Sequence, residues 1–166
     1  LSGGRFTTFG LQQGLANLSV RSLAEDDNGT LWVGTRRGLH YLEDGRLELV
    51  RQHGLDLADV TALHAARDGS LWIGTYEKGV VRLKQGTCTV LDRQHGLPGN
   101  EVRTITSDRR GDVWIGLLDG GLIRIRGGTI TSFTAANGLA GNSVFTVFEA
   151  KDGQLWVTTR RGLSRI

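Results

Sequence analysis

Apolar and polar positions along the 166-residue chain fall into short runs, and no stretch sustains a helical period. The runs recur in sets of four. The first run of each set is Val20-Arg21-Ser22-Leu23, Val60-Thr61-Ala62-Leu63, Val102-Arg103-Thr104-Ile105 and Val144-Phe145-Thr146-Val147. The second carries a tryptophan, as in Leu31-Trp32-Val33-Gly34-Thr35, Leu71-Trp72-Ile73-Gly74-Thr75, Val113-Trp114-Ile115-Gly116-Leu117 and Leu155-Trp156-Val157-Thr158-Thr159. The third opens on Gly38, Gly79, Gly121 and Gly162. The fourth is Leu47-Glu48-Leu49-Val50, Cys88-Thr89-Val90-Leu91 and Ile130-Thr131-Ser132-Phe133. Gly, Asn and Asp separate the runs, which is how strands joined by hairpins read. The second run is apolar on both of its faces, as a strand covered from both sides must be.

Successive tryptophans stand 40, 42 and 42 residues apart. A fixed period of that length is a repeat architecture at the size of a propeller blade. The pattern predicts an all-β chain: a β-propeller of four blades, each of four antiparallel strands. The blades are expected at about 10–50, 51–91, 92–133, and 134–166 together with 1–9. The last set stops after its third run, at Ile166. A matching fourth strand stands at the other end: Arg5-Phe6-Thr7-Thr8-Phe9 follows Gly3-Gly4 as Arg46-Leu47-Glu48-Leu49-Val50 follows Asp44-Gly45. This N-terminal strand is expected to complete the last blade and remove an exposed edge. The same phase fits four blades cut from a larger propeller.

Composition narrows the functional classes. Net charge is +3, with bases spread through the chain, which is no nucleic-acid signature. No apolar run approaches a membrane span, so no direct membrane insertion is expected of this stretch. The absence of Met implies a processed chain or part of a longer one. One cysteine, Cys88, excludes an internal disulfide framework and reads as a packed residue of an outer strand. A single Pro and 25 Gly suit tight turns.

The best-formed unit reads Gly54-Leu55, Val60, Leu63, Asp68-Gly69, Leu71-Trp72-Ile73-Gly74-Thr75 and Gly79-Val80. It resembles the two-component regulator propeller repeat, and four in-phase copies carry that resemblance over the whole chain. Arg110, Leu117 and Thr158 depart from it locally. The resemblance implies the extracytoplasmic (periplasmic) input domain of a bacterial hybrid histidine kinase or diguanylate cyclase, non-catalytic, binding a ligand or partner. In some members the ligand is a carbohydrate. The family has about seven blades per propeller. Four blades therefore imply a fragment, a closed four-blade ring, or two chains self-associating into an eight-blade ring. No catalytic motif, metal or cofactor comes with the resemblance.

Strand alternation places two loop sets on one face: those between blades, and those between the second and third strands. Loops held by a rigid scaffold carry function disproportionately, so this face is the expected site. Its non-repeating residues are Arg36, Arg37, Tyr76, Glu77, Lys78, Asp119, Arg160 and Arg161. If the ring closes, the four arginines converge from the first and last blades and suit a carboxylate, sulfate or phosphate. Against this, exposed loop charges are ordinarily solvated. Tyr76, Glu77 and Lys78 suit a sugar contact or ordinary loop chemistry. The four tryptophans read as interblade packing. His53 and His95, in repeated Gln-His-Gly phrases, lack the third ligand that a metal site needs. His40 and His64 lie within strand runs without a companion. Asp27-Asn28-Gly29-Thr30-Leu31-Trp32 resembles the Asp box of sialidase-type propellers, which keeps a glycan-processing enzyme as the alternative. A sialidase needs an arginine triad and a Tyr nucleophile with a Glu, and the two tyrosines, Tyr41 and Tyr76, come with no such constellation. A structural protein–protein scaffold is the third reading.

Overall fold

The structure, a computed structural model, describes residue 4 and residues 6–51 and 57–166. Its strands form four separate antiparallel sheets, one per repeat. Blade one is β1 (Val20–Glu25), β2 (Leu31–Thr35), β3 (Gly38–Glu43) and β4 (Arg46–Leu49). Blade two is β5 (Val60–Ala65), β6 (Leu71–Thr75), β7 (Val80–Lys84) and β8 (Thr87–Leu91). Blade three is β9 (Val102–Ser107), β10 (Val113–Leu117), β11 (Leu122–Arg126) and β12 (Thr129–Phe133). Blade four is β13 (Val144–Glu149), β14 (Leu155–Thr159) and β15 (Gly162–Arg165). Each sheet runs in simple up-and-down order. Three-residue 3₁₀ turns at Leu11–Gln13, Arg93–His95 and Ala135–Asn137 lead into the interblade loops, each ending on a left-handed glycine. Among the described residues no helix is long and apolar enough to cross a membrane.

The core lies between blades. Trp32 packs into the cluster of Val60, Leu63 and Ile73 in blade two. Trp72 packs with Val102, Ile105 and Ile115 of blade three, and Trp114 with Val144, Val147 and Val157 of blade four. These three tryptophans are thus wedges driven into the next blade, and the packing reading holds for them. Trp156 has no following blade and is only partly buried. Gly34, Gly74 and Gly116 make the close approach possible. A Cβ on any of them would lie 2.5 Å from Cγ1 of Val60, Val102 or Val144, the valine opening the next blade.

The four blades form an open arc. Neighbouring inner strands pack in succession, β1 on β5, β5 on β9 and β9 on β13. At the ends the equivalent positions are uncovered: Val20 is 43% exposed where Val60 and Val144 are 0%. Leu163 is 57% exposed where Leu39, Val80 and Leu122 are 0%. The expected closure by the N-terminal strand is not seen. Residues 6–10 carry no strand, Phe6 is fully exposed, and the fourth sheet has three strands. Arg5 and residues 1–3 lie outside the described residues. A ladder needs its partner strand within about 5 Å, and an arc whose ends stay apart denies it that partner. The other expectation, four blades with the geometry of a larger propeller, fits this arc.

Candidate functional site

The last residue of the tryptophan strand shapes the loops that follow. Thr35 Oγ1 donates to the Gly38 carbonyl at 3.1 Å and accepts from the Arg37 N–H at 3.1 Å. Thr75 does the same with Gly79 and Lys78, both at 2.9 Å. Thr159 does so with Gly162 at 3.0 Å and Arg161 at 3.1 Å. In blade three Leu117 takes the place of this threonine and is fully buried, with Asp119 and Gly120 in the loop beyond.

These loops meet the interblade loops on one face, as strand alternation requires. The Tyr76 N–H donates to the Asp59 carbonyl at 3.1 Å, Leu118 to Glu101 at 2.9 Å, and Arg160 to Ser143 at 3.0 Å. Asn100 and Asn142 serve twice. Their side-chain oxygens accept from the N–H groups of Arg93 (3.0 Å) and Ala135 (2.7 Å), and their carbonyls from Gly79 (3.1 Å) and Gly121 (2.8 Å).

Among the described residues three clefts lie along this face. The first, about 470 Å³, holds Arg36 and Arg37 beside Asn17 and Leu18. The second, about 370 Å³, holds Tyr76, Glu77, Arg93, Glu101 and Asp119. The third, about 440 Å³, holds Asp119, Asn142, Ser143, Arg160 and Arg161. Asp119 stands between the last two. Lys78 lines none of these clefts. The expected convergence of Arg36, Arg37, Arg160 and Arg161 is not seen: the two pairs line different clefts, in the first and last blades of an open arc. Arg36 instead comes within 3.9 Å of Asp59 in blade two.

Other candidates resolve into scaffold. His95 Nδ1 bonds Asp92 at 2.7 Å at the start of a 3₁₀ turn; His53 lies outside the described residues. His40 is fully buried and accepts the Ala16 N–H at 3.0 Å through Nε2. His64 bonds Ser107 of blade three at 2.8 Å. Burial lowers the pKa of both imidazoles. Burial likewise raises that of the Cys88 thiol, against nucleophilic use. A hydrogen bond to Glu101, and then that carboxylate's charge, raise the Tyr76 phenol above its ordinary value. A phenol held protonated is a poor nucleophile. Tyr41 packs its ring 5.8 Å from Trp32. In the Asp-box turn it is Asp26, not Asp27, that accepts: Oδ1 takes the N–H groups of Asn28 (2.9 Å) and Thr30 (3.0 Å), and Oδ2 the Trp32 indole (2.9 Å).

The opposite face holds a feature that loop length did not point to. A cavity of about 580 Å³ opens there between blades two and three, lined by Ala66, Arg67, Trp72, Arg82 and Arg110 among others. The readable signal was Ala66 itself, an alanine where blades one and three have Asp26 and Asp108.

In structure the chain is similar to the extracellular domain assigned to a hybrid two-component system of B. thetaiotaomicron, at 22% identity and a TM-score of 0.83, over 96% of this chain and 25% of that one. It is similar to a second such domain, assigned to a one-component system of that organism, at 22% identity and TM-score 0.76, over 92% of this chain and 23% of that one. The virginiamycin B lyase of Staphylococcus aureus shares the fold more distantly, at 17% identity and TM-score 0.63, over 89% and 55%. The chain spans about a quarter of the length of the two extracellular domains. No curated protein matches it in sequence. The model of the two component regulator propeller matches residues 14–37, 54–77, 96–119 and 138–161, more than half of the chain and one match per blade. The chain belongs to the two-component regulator propeller family.

Proposed function

We propose that these four blades are a non-catalytic recognition segment of an extracytoplasmic input propeller in a bacterial signalling receptor. They take a small anionic or carbohydrate ligand on the face where the long loops meet. The observation that carries this reading is the division of roles between residues. Those repeated from blade to blade serve the scaffold: Trp, Gly and Val hold blade against blade, and Thr ties the hairpin that follows it. Those that differ, Arg36, Arg37, Tyr76, Glu77, Asp119, Arg160 and Arg161, line successive clefts on one face. Likeness to extracellular domains of signalling systems supports the location. Arg160 and Arg161 present guanidiniums beside the acceptor Asp119, a mixed set suited to an acidic sugar.

Calorimetric titration with acidic and neutral oligosaccharides tests it. Saturable binding that weakens about tenfold or more in Arg160→Ala and Arg161→Ala is the expected result. Binding indifferent to both, and to Arg36→Ala and Arg37→Ala, would remove the loop-face site. Turnover of any glycoside, lost in Tyr76→Phe or Glu77→Gln, would replace the reading with an enzyme.

A further inference from the structure

The turn before each tryptophan strand comes in two forms. In blades one and three the residue six before the tryptophan is Asp26 or Asp108. One carboxylate oxygen closes the turn, and the other accepts the indole N–H of Trp32 or Trp114 at 2.9 Å. In blades two and four that residue is Ala66 or Ala150, and the turn acid has moved two places on, to Asp68 or Asp152. Asp68 accepts from Ser70, Arg82 and Lys84, and not from the indole. Burial works to raise its pKa, but those hydrogen bonds outweigh it and hold the carboxyl well below the usual range. Trp72 is 4% exposed, yet its Nε1–H has no acceptor among the described residues. A buried donor without an acceptor is uncommon and costly.

Ala66, which stands where the acceptor would be, and Trp72 both line the cavity on the hairpin face. The lining also holds the Ser107 hydroxyl, bonded to His64 at 2.8 Å, and the Asp68 carboxylate, paired with Arg82 and Lys84; the remaining charged groups are arginines. The Arg82 guanidinium lies 5.3 Å from the centroid of the Trp72 ring, gives Nη2 to Asp68 at 2.6 Å, and leaves Nε without a partner. Arg67 and Arg110 are exposed at the wall, with no ion pair among the described residues. Arg109 is engaged elsewhere, with Glu149 at 2.6 Å and the Ala150 and Lys151 carbonyls at 2.9 and 3.1 Å. Ala150 repeats the exchange in blade four, where Trp156 sits at the open end of the arc.

We propose that this cavity is an oxyanion site for a small carboxylate-bearing ligand, whose carboxylate takes the place that Asp26 and Asp108 fill for the neighbouring tryptophans. The indole N–H and the guanidinium fork are the donors such a group recognises. The site lies on the face opposite the long loops and does not depend on the loop-face reading.

The four indole N–H signals of the ¹⁵N-labelled chain, assigned with Trp72→Phe, read the site directly. Titration with malonate at constant ionic strength is expected to move the Trp72 signal downfield saturably and leave the other three in place. Ala66→Asp supplies the carboxylate internally. It is expected to move the Trp72 signal without malonate and to weaken malonate binding about tenfold or more. Arg110→Gln and Trp72→Phe, measured by calorimetry, should weaken it comparably. An unmoved Trp72 signal, a shift reproduced by chloride, or undiminished malonate affinity in Ala66→Asp would each overturn the proposal. A response to inorganic phosphate alone would overturn the carboxylate assignment. Loss of loop-face binding in Arg160→Ala leaves this result untouched, so the two readings fail separately.

Discussion

A single missing Cβ sets the spacing between blades. Gly74 lets Val102 approach so closely that an added methyl would stand 2.5 Å from its Cγ1. Gly74→Ala is therefore expected to destabilise the chain by about 1–3 kcal/mol in urea unfolding, and Val102→Ala to relieve part of that loss. The tryptophans separate by their acceptors. Trp114→Phe strands the Asp108 oxygen that takes the indole N–H, whereas Trp72→Phe removes a donor with no partner. The first should cost about 1–3 kcal/mol more than the second, measured by the same unfolding. Buried histidines give a pH dependence. Burial puts the folded pKa values of His40 and His64 below the ordinary 6.5, so the unfolded chain takes up protons first. Stability from the neutral imidazoles is complete above that value and drains as pH falls below it. Unfolding free energies from about pH 8 down to about pH 5 should decline, and less so in His64→Gln.

At the level of the element, local chemistry and interblade chemistry can be told apart. Strand boundaries were legible because the two-residue period and the Gly, Asn and Asp turns are local properties. The observed β6, Leu71–Thr75, coincides with the run read from sequence. Less legible was the register break after the first valine of every inner strand, as between Val60 and Ala62. A bulge of this kind follows from twist and packing, not from a residue signal. The strand-ending threonine links element to site. Thr75→Val removes one donor and one acceptor from the loop carrying Tyr76, Glu77 and Lys78. It should cost about 1 kcal/mol and speed amide exchange at Lys78 relative to Arg161, read by hydrogen-exchange NMR.

On the scale of the whole molecule the arc leaves its first and last blades uncovered; further blades of a longer propeller would cover them, as would a second copy of the chain in an eight-blade ring. Such a ring sets Val20 of one copy against Thr158 of the other, at the position where blades one to three have glycine. The join is therefore expected to be weaker than the contacts within the chain. Thr158→Gly should tighten association and Leu163→Asp abolish it, as read by light scattering across concentration; a strict monomer in all three proteins would exclude the ring. The sequence by itself determined the repeat, the blade count, the four strands of each full blade and the face on which the long loops gather. Those follow from periodicity and turn chemistry, which act over a few residues. Whether the ends meet was decided only in three dimensions, because it depends on the angle at which each blade wedges against the next. That same geometry kept the two arginine pairs in separate clefts. It also turned one alanine, Ala66, into a cavity beside an indole without an acceptor.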